Sequence, residues 1–96
     1  MSDRNVSIAV GTTNVVLSEQ KDQQRRVSFS IINTSTGGQV ISITFTDEAG
    51  AGLGIPLSAG GFYSEAESEG FKCTRSRICA ISSLAGGTIA MTERLE

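Results

Sequence analysis

The feature that most narrows what this chain can become is a regular alternation of β-branched or aromatic residues with serine and threonine. Val27, Phe29 and Ile31 alternate with Ser28 and Ser30, and Ile41, Ile43 and Phe45 with Ser42, Thr44 and Thr46. Successive side chains on an extended backbone point to opposite faces, so each stretch reads as a strand with one buried and one solvated face. Between them, Asn33-Thr34-Ser35-Thr36-Gly37-Gly38 offers residues that tolerate turn geometry, and the two strands read as a hairpin. Val6, Ile8 and Val10 repeat the alternation near the N-terminus. Shorter apolar runs follow at 14–17, 55–57, 62–63 and 78–81, then at Ile89 and Met91, with Leu95 as a weaker continuation. Pro56 has no N–H to give a ladder and belongs at an edge or corner. About seven or eight short strands joined by glycine-rich turns, without a helix, predict an all-β fold: an antiparallel β-sandwich or jelly-roll-like domain.

A chain of 96 residues holds one core, so residues 1–96 are read as a single β-sandwich domain. Valine, isoleucine, leucine and phenylalanine number 24, above the roughly 20% below which chains stay disordered. Residues 18–26 contain no apolar side chain and read as a solvated polar loop, while the glycine-rich stretch 47–54 reads as a flexible, projecting loop. Residues 32–40 and 81–89 echo one another in type, each with a Gly-Gly pair; independent recurrence of such turns between β-branched strands is the simpler account.

The chemistry available is sparse. Histidine and tryptophan are absent, which removes His-dependent triads and His-ligated metal sites. The serines are many, but no histidine is present to activate one, so no enzyme, no catalytic residue, no cofactor and no metal site is expected. Gly50, Gly52 and Gly54 lack the Gly-Lys-Ser/Thr that a phosphate cradle requires. Glu65, Glu67 and Glu69, spaced by two, read as a solubilising strand face rather than a cation site, with Arg75 and Arg77 as possible ion-pair partners; Ser64 with Glu67 also fits a single capped helical turn. Arg25, Arg26, Arg75 and Arg77 sit among acidic residues in a chain of net charge −2, against direct nucleic-acid binding. Cys73 and Cys79 are too far apart to bridge within one strand and could do so only across a turn at 74–77; free, buried thiols are the favoured reading. No stretch approaches the ~18 apolar residues of a membrane helix and no signal-type core follows Met1, so a cytoplasmic origin without membrane contact is expected.

Three segments together resemble a recurring pattern: Arg26-Val-Ser-Phe-Ser-Ile-Ile-Asn-Thr-Ser35, Gly54-Ile-Pro-Leu-Ser-Ala-Gly-Gly61, and Ile78-Cys-Ala-Ile-Ser-Ser83 with Gly87-Thr-Ile89. They are similar to small β-sandwich structural proteins of bacterial viruses, of capsid-associated or decoration type. The resemblance spans about two-thirds of the chain and consists of strand and turn chemistry. It implies a non-enzymatic virion protein, made in the host cytoplasm, that acts by repeated contacts with neighbouring capsid subunits and copies of itself. Asp47, Glu48, Leu53, Phe62 and Tyr63 are the candidate interface residues. The alternative from another class is a carbohydrate- or receptor-binding module, since sandwiches host both roles.

Overall fold

The computed structural model describes residues 2–50 and 53–96. Eight strands form: β1 (Ser2–Val10), β2 (Val15–Ser18), β3 (Arg26–Asn33), β4 (Ile41–Phe45), β5 (Ile55–Leu57), β6 (Phe62–Ala66), β7 (Ile78–Ser82) and β8 (Gly87–Leu95). Among the described residues there is no helix, so none long and apolar enough to cross a membrane. All pairings are antiparallel, in two four-stranded sheets of order β1-β8-β3-β6 and β2-β7-β4-β5. This order is the jelly roll, two nested Greek keys that fold as a sandwich.

The alternation read from the sequence decides which side chains meet. From the first sheet come Val10, Phe29, Ile31, Ile89 and Met91; from the second, Leu17, Ile41, Ile43, Leu57, Ile78 and Ala80. Each is at most 5% exposed, and Val6, Ile8, Val15, Phe45, Ile55 and Tyr63 close the sides. Tyr63 spans the two layers, its ring 6.0 Å from that of Phe29 in one sheet and 6.0 Å from that of Phe45 in the other.

The expected β3–β4 hairpin does not form. β3 pairs with β8 and β6, β4 with β7 and β5, and the connection between them is an arch from one sheet to the other. Asn33 makes the arch possible. Fully buried, its amide donates to the carbonyls of Gln39 (2.9 Å) and Leu57 (2.8 Å), and its Oδ1 accepts from the N–H of Ser35 (2.9 Å). That side chain replaces the ladder bonds the backbone gives up on leaving the sheet. The echo segment 81–89 is likewise an arch, from β7 to β8, and the two arches lie against each other: Thr34 N–H donates to Thr88 O (3.1 Å), Gln39 Nε2 to Ala85 O (2.9 Å), and Ser83 N–H to Val40 O (2.9 Å).

Residues 47–50 of the glycine-rich stretch do not project either. Thr46 takes φ 75° and Asp47 N–H donates back to Phe45 O (2.9 Å), a γ-turn of strained sense for a β-branched residue. The turn folds the segment back over the outer face of the second sheet. There Thr44 Oγ1 donates to Asp47 O (2.8 Å) and Ala49 N–H to Asn14 Oδ1 (2.7 Å), and the outward-facing Ser42, Thr44 and Cys79 are buried. Residues 51 and 52 of this stretch lie outside the described residues. Gly54 returns the chain to β5 at φ 75°, where a Cβ would collide with the Ile43 carbonyl.

Candidate functional site

The connections gather at the two ends of the sandwich. Residues 11–14, 34–40, 58–61 and 83–86 join strands at one end; 19–25, 46–54 and 67–77 leave from the other, beside the first residue of β1 and the last of β8.

At the second end a buried polar cluster closes the core. Arg26 and Glu93 are both fully buried and meet at 2.6 Å through Nε and Oε2. Nη1 of Arg26 donates to Thr74 O and Ser76 O (2.9 Å each), Nη2 to Ser18 Oγ (2.8 Å) and Glu19 O (3.0 Å), so all five guanidinium donors are used. Ser18 in turn donates to Glu93 Oε2 at 2.7 Å. Burial pushes the Glu93 carboxyl up, but the hydrogen bonds from Ser18 and Arg26 and the charges of Lys21 and Arg26 outweigh it, and its pKa lies below the ordinary carboxylate value. Its Oε1 is buried without a hydrogen-bond partner, 3.6 Å from Arg4 Nη1 and 3.8 Å from Lys21 Nζ, beneath a shallow cleft lined by Arg4, Val16, Leu17, Ser18, Glu19 and Lys21. The cluster ties β2, β3, β8 and the 67–77 connection together, so the polar stretch 18–26 is anchored at both ends. A bulge sets this up: the β3–β8 register shifts between Arg26 and Ser28, which turns Arg26 inward together with Phe29 and leaves Val27 only half-buried.

The glutamate row is arranged differently from expectation. Tyr63 and Glu65 stand opposite Ile31 and Phe29 and share their inward face, while Phe62, Ser64 and Ala66 face out. Tyr63 OH donates to Glu65 Oε2 at 2.6 Å, and Glu65 Oε1 accepts from Thr74 N–H at 2.9 Å. Glu67 pairs with Arg25 (3.1 Å) and Lys72 (3.0 Å), not with Arg75 or Arg77; Arg77 donates to Thr46 O at 2.7 Å instead. No capped turn forms at Ser64, which lies within β6. An inward carboxylate on the edge strand β6 discourages pairing with a foreign strand. The Glu65 hydrogen bond, then burial, push the Tyr63 phenol up to about 12. Among the described residues no three His, Cys, Asp or Glu side chains converge as a metal would require.

Cys73 and Cys79 are both free and buried. Cys73 donates to Val27 O at 3.3 Å, and burial, followed by the charges of Glu65 and Glu67, raises its pKa.

The five candidate interface residues do not form one surface. Asp47, Glu48 and Leu53 line a cleft of about 400 Å³ with Ile43, Thr44, Phe45, Gly54 and Ile55, along the β4–β5 edge. Phe62, 67% exposed, is on the first sheet at the opposite end, and Tyr63 points into the sandwich. The sequence reading passed over Arg26 and Glu93 as partners, although Glu93 continues the inward phase of Ile89 and Met91.

No protein family matches the chain, and no curated protein does either. A solved structure does: a protein of Bacillus endospore appendages, described as forming a novel family of disulfide-linked pili, with a TM-score of 0.62 over 96% of this chain and 82% of its own, at 17% identity. At that identity the likeness shows a shared fold, a small all-β domain. The similar structure is a bacterial appendage protein rather than a component of a virus particle.

Proposed function

We propose that the chain is a non-enzymatic structural subunit that works by repeated contacts with copies of itself in an ordered assembly. The observation that carries this reading is the fold likeness to a pilus-forming protein across nearly the whole chain. The geometry is compatible with it: the buried polar groups serve the fold, with Arg26 and Glu93 closing one end and Asn33 and Gln39 fixing the arches at the other. The similar structure belongs to disulfide-linked pili. Here both thiols are buried, and the contacts proposed are non-covalent. The finer reading, a capsid-associated or decoration protein made in the host cytoplasm and carried on the virion, rests on the sequence resemblance; a filament subunit is its counterpart from the fold likeness. Electron microscopy of the concentrated protein, with sedimentation from about 10 μM to 1 mM, tests the common element. Filaments, rings or discrete oligomers support it; a chain that stays monomeric throughout, and is absent from purified particles and filaments of its source, overturns it.

A further inference from the structure

The charged residues are segregated along the molecule. The chain has 18, eight basic and ten acidic. None lies in the four connections 11–14, 34–40, 58–61 and 83–86 that build one end of the sandwich. Sixteen lie in the connections and strand ends toward the other end, and Asp47 and Glu48 lie in the connection that starts there and folds back over the second sheet. A soluble surface ordinarily intersperses both signs over a quarter to a third of its residues. Here a whole end of glycine, serine, threonine, alanine and amide residues exposes Val40 and Leu84, with Ile32 and Phe62 beside each other on the adjoining sheet face. Lack of charge, combined with exposed apolar side chains, is the composition of an interface centre.

The same end is also rigid. Thr34 and Thr88 join through their hydroxyls (2.9 Å), Thr88 N–H donates to Ser35 Oγ (2.9 Å), Val40 N–H to Ser83 Oγ (3.0 Å), and Gly37 N–H to the buried Gln39 side chain (2.8 Å). Cross-tied arches bearing short side chains lose little conformational entropy when covered, the condition under which a small contact can still hold.

We propose that this charge-free end is the surface through which the subunit meets a second copy of itself, tip against tip. It rests on the structural-subunit reading and names the shared surface. The partner follows from charge: pressing the tip on the opposite end of a neighbour would strip water from ions that an uncharged surface cannot pair, whereas two tips meet without burying any. The molecule is 37 × 22 × 20 Å, and an end section of 22 × 20 Å is about half the ~800 Å² per partner of a standard interface. The contact is therefore weak alone and gains strength when repeated.

The test is sedimentation equilibrium of the full chain and of Leu84→Glu and Leu84→Lys, separately and mixed in equal amounts, with Asp22→Lys as a charge change at the far end. Leu84 is 53% exposed, and circular dichroism checks that each variant folds. Facing like charges should weaken self-association about 100-fold or more in either Leu84 variant, mixing should restore it, and Asp22→Lys should leave it unchanged. Wild-type strength in both single variants would overturn the tip as a contact while leaving the assembly reading intact. Loss in both without rescue on mixing would overturn the tip-to-tip arrangement. A wild type monomeric at every concentration would overturn the tip as a self-contact, and with it the assembly reading if the chain is also absent from purified particles and filaments of its source. If that monomer floated with phosphatidylcholine vesicles and Leu84→Lys did not, the surface would belong to lipid.

Discussion

Arg26→Met exposes how much the closing cluster contributes. The substitution keeps an unbranched apolar stem but leaves Glu93 fully buried without its 2.6 Å partner, and frees Ser18 Oγ and the carbonyls of Glu19, Thr74 and Ser76. Those carbonyls are on connections that water can reach, so the dominant cost is the stranded carboxylate. Breaking one side of a buried ion pair costs about 3–5 kcal/mol. For a domain of this size each kcal/mol moves the melting midpoint by about 4–8 °C, so Tm should fall by roughly 12–40 °C. Glu93→Leu should cost a similar amount by stranding the guanidinium. The double variant should recover most of either loss, because a well-packed apolar pair of similar volume is often as stable as the ion pair it replaces. Urea unfolding of the four proteins, read as midpoints at constant m-value, closes the double-mutant cycle. Single-variant losses below about 1 kcal/mol, or a double variant equal to the sum of the singles, would refute the account of a desolvated, mutually dependent pair.

Glu93 also sets the acid limb. Its folded pKa lies below the ordinary 4.5, so its stabilisation is complete above that value and is lost as pH falls through the lower folded pKa; Glu93→Gln should flatten that loss in acid melts, and an unchanged profile would count against it. Tyr63 is the chain's one tyrosine and there is no tryptophan, so phenolate absorbance reports it alone. With a folded pKa of about 12 against 10 unfolded, its contribution is intact below pH 10 and is lost progressively as pH rises from 10 through about 12, and a phenolate midpoint near 10 in the folded protein would contradict the Glu65 hydrogen bond. Both thiols should resist a soluble disulfide reagent until the chain opens, Cys79 being released when the 46–50 segment lifts; rapid stoichiometric labelling of the native protein would disprove their burial. Gly54→Ala should cost at least ~2 kcal/mol from positive φ and the collision with Ile43, measured by thermal melting, and a neutral result would contradict that backbone path.

The strands were legible because alternation is a local property: Val27 to Ile31 and Ile41 to Phe45 announce which side is buried whatever lies around them. Pairing is not local. Nothing in Asn33-Thr34-Ser35-Thr36-Gly37-Gly38 distinguishes a hairpin from an arch, since both need turn residues, and only the burial of Asn33 and Gln39 shows the chain changing sheets. Arg26 was hidden by the bulge at 26–28, which shifts phase within one strand. At β6 the adjacent Phe62 and Tyr63 give no phase of their own, and the inward side is set by the register with β3. The charge-free runs are plain in the sequence, but only the strand order collects their turns at one end.

The place of β8 between β1 and β3 has a consequence for how the fold is reached. β1 pairs along its whole length with β8, Ser2 opposite Leu95 and Val10 opposite Gly87, and β8 is its one partner in the sheet. Until a ribosome has passed residue 95, the first nine-residue strand is without its sheet partner, and the first sheet lacks one of its two inner members. Folding therefore cannot accumulate in order of synthesis. It must close the chain's widest loop as one event, which places this small domain among the slow folders, in the millisecond-to-second range.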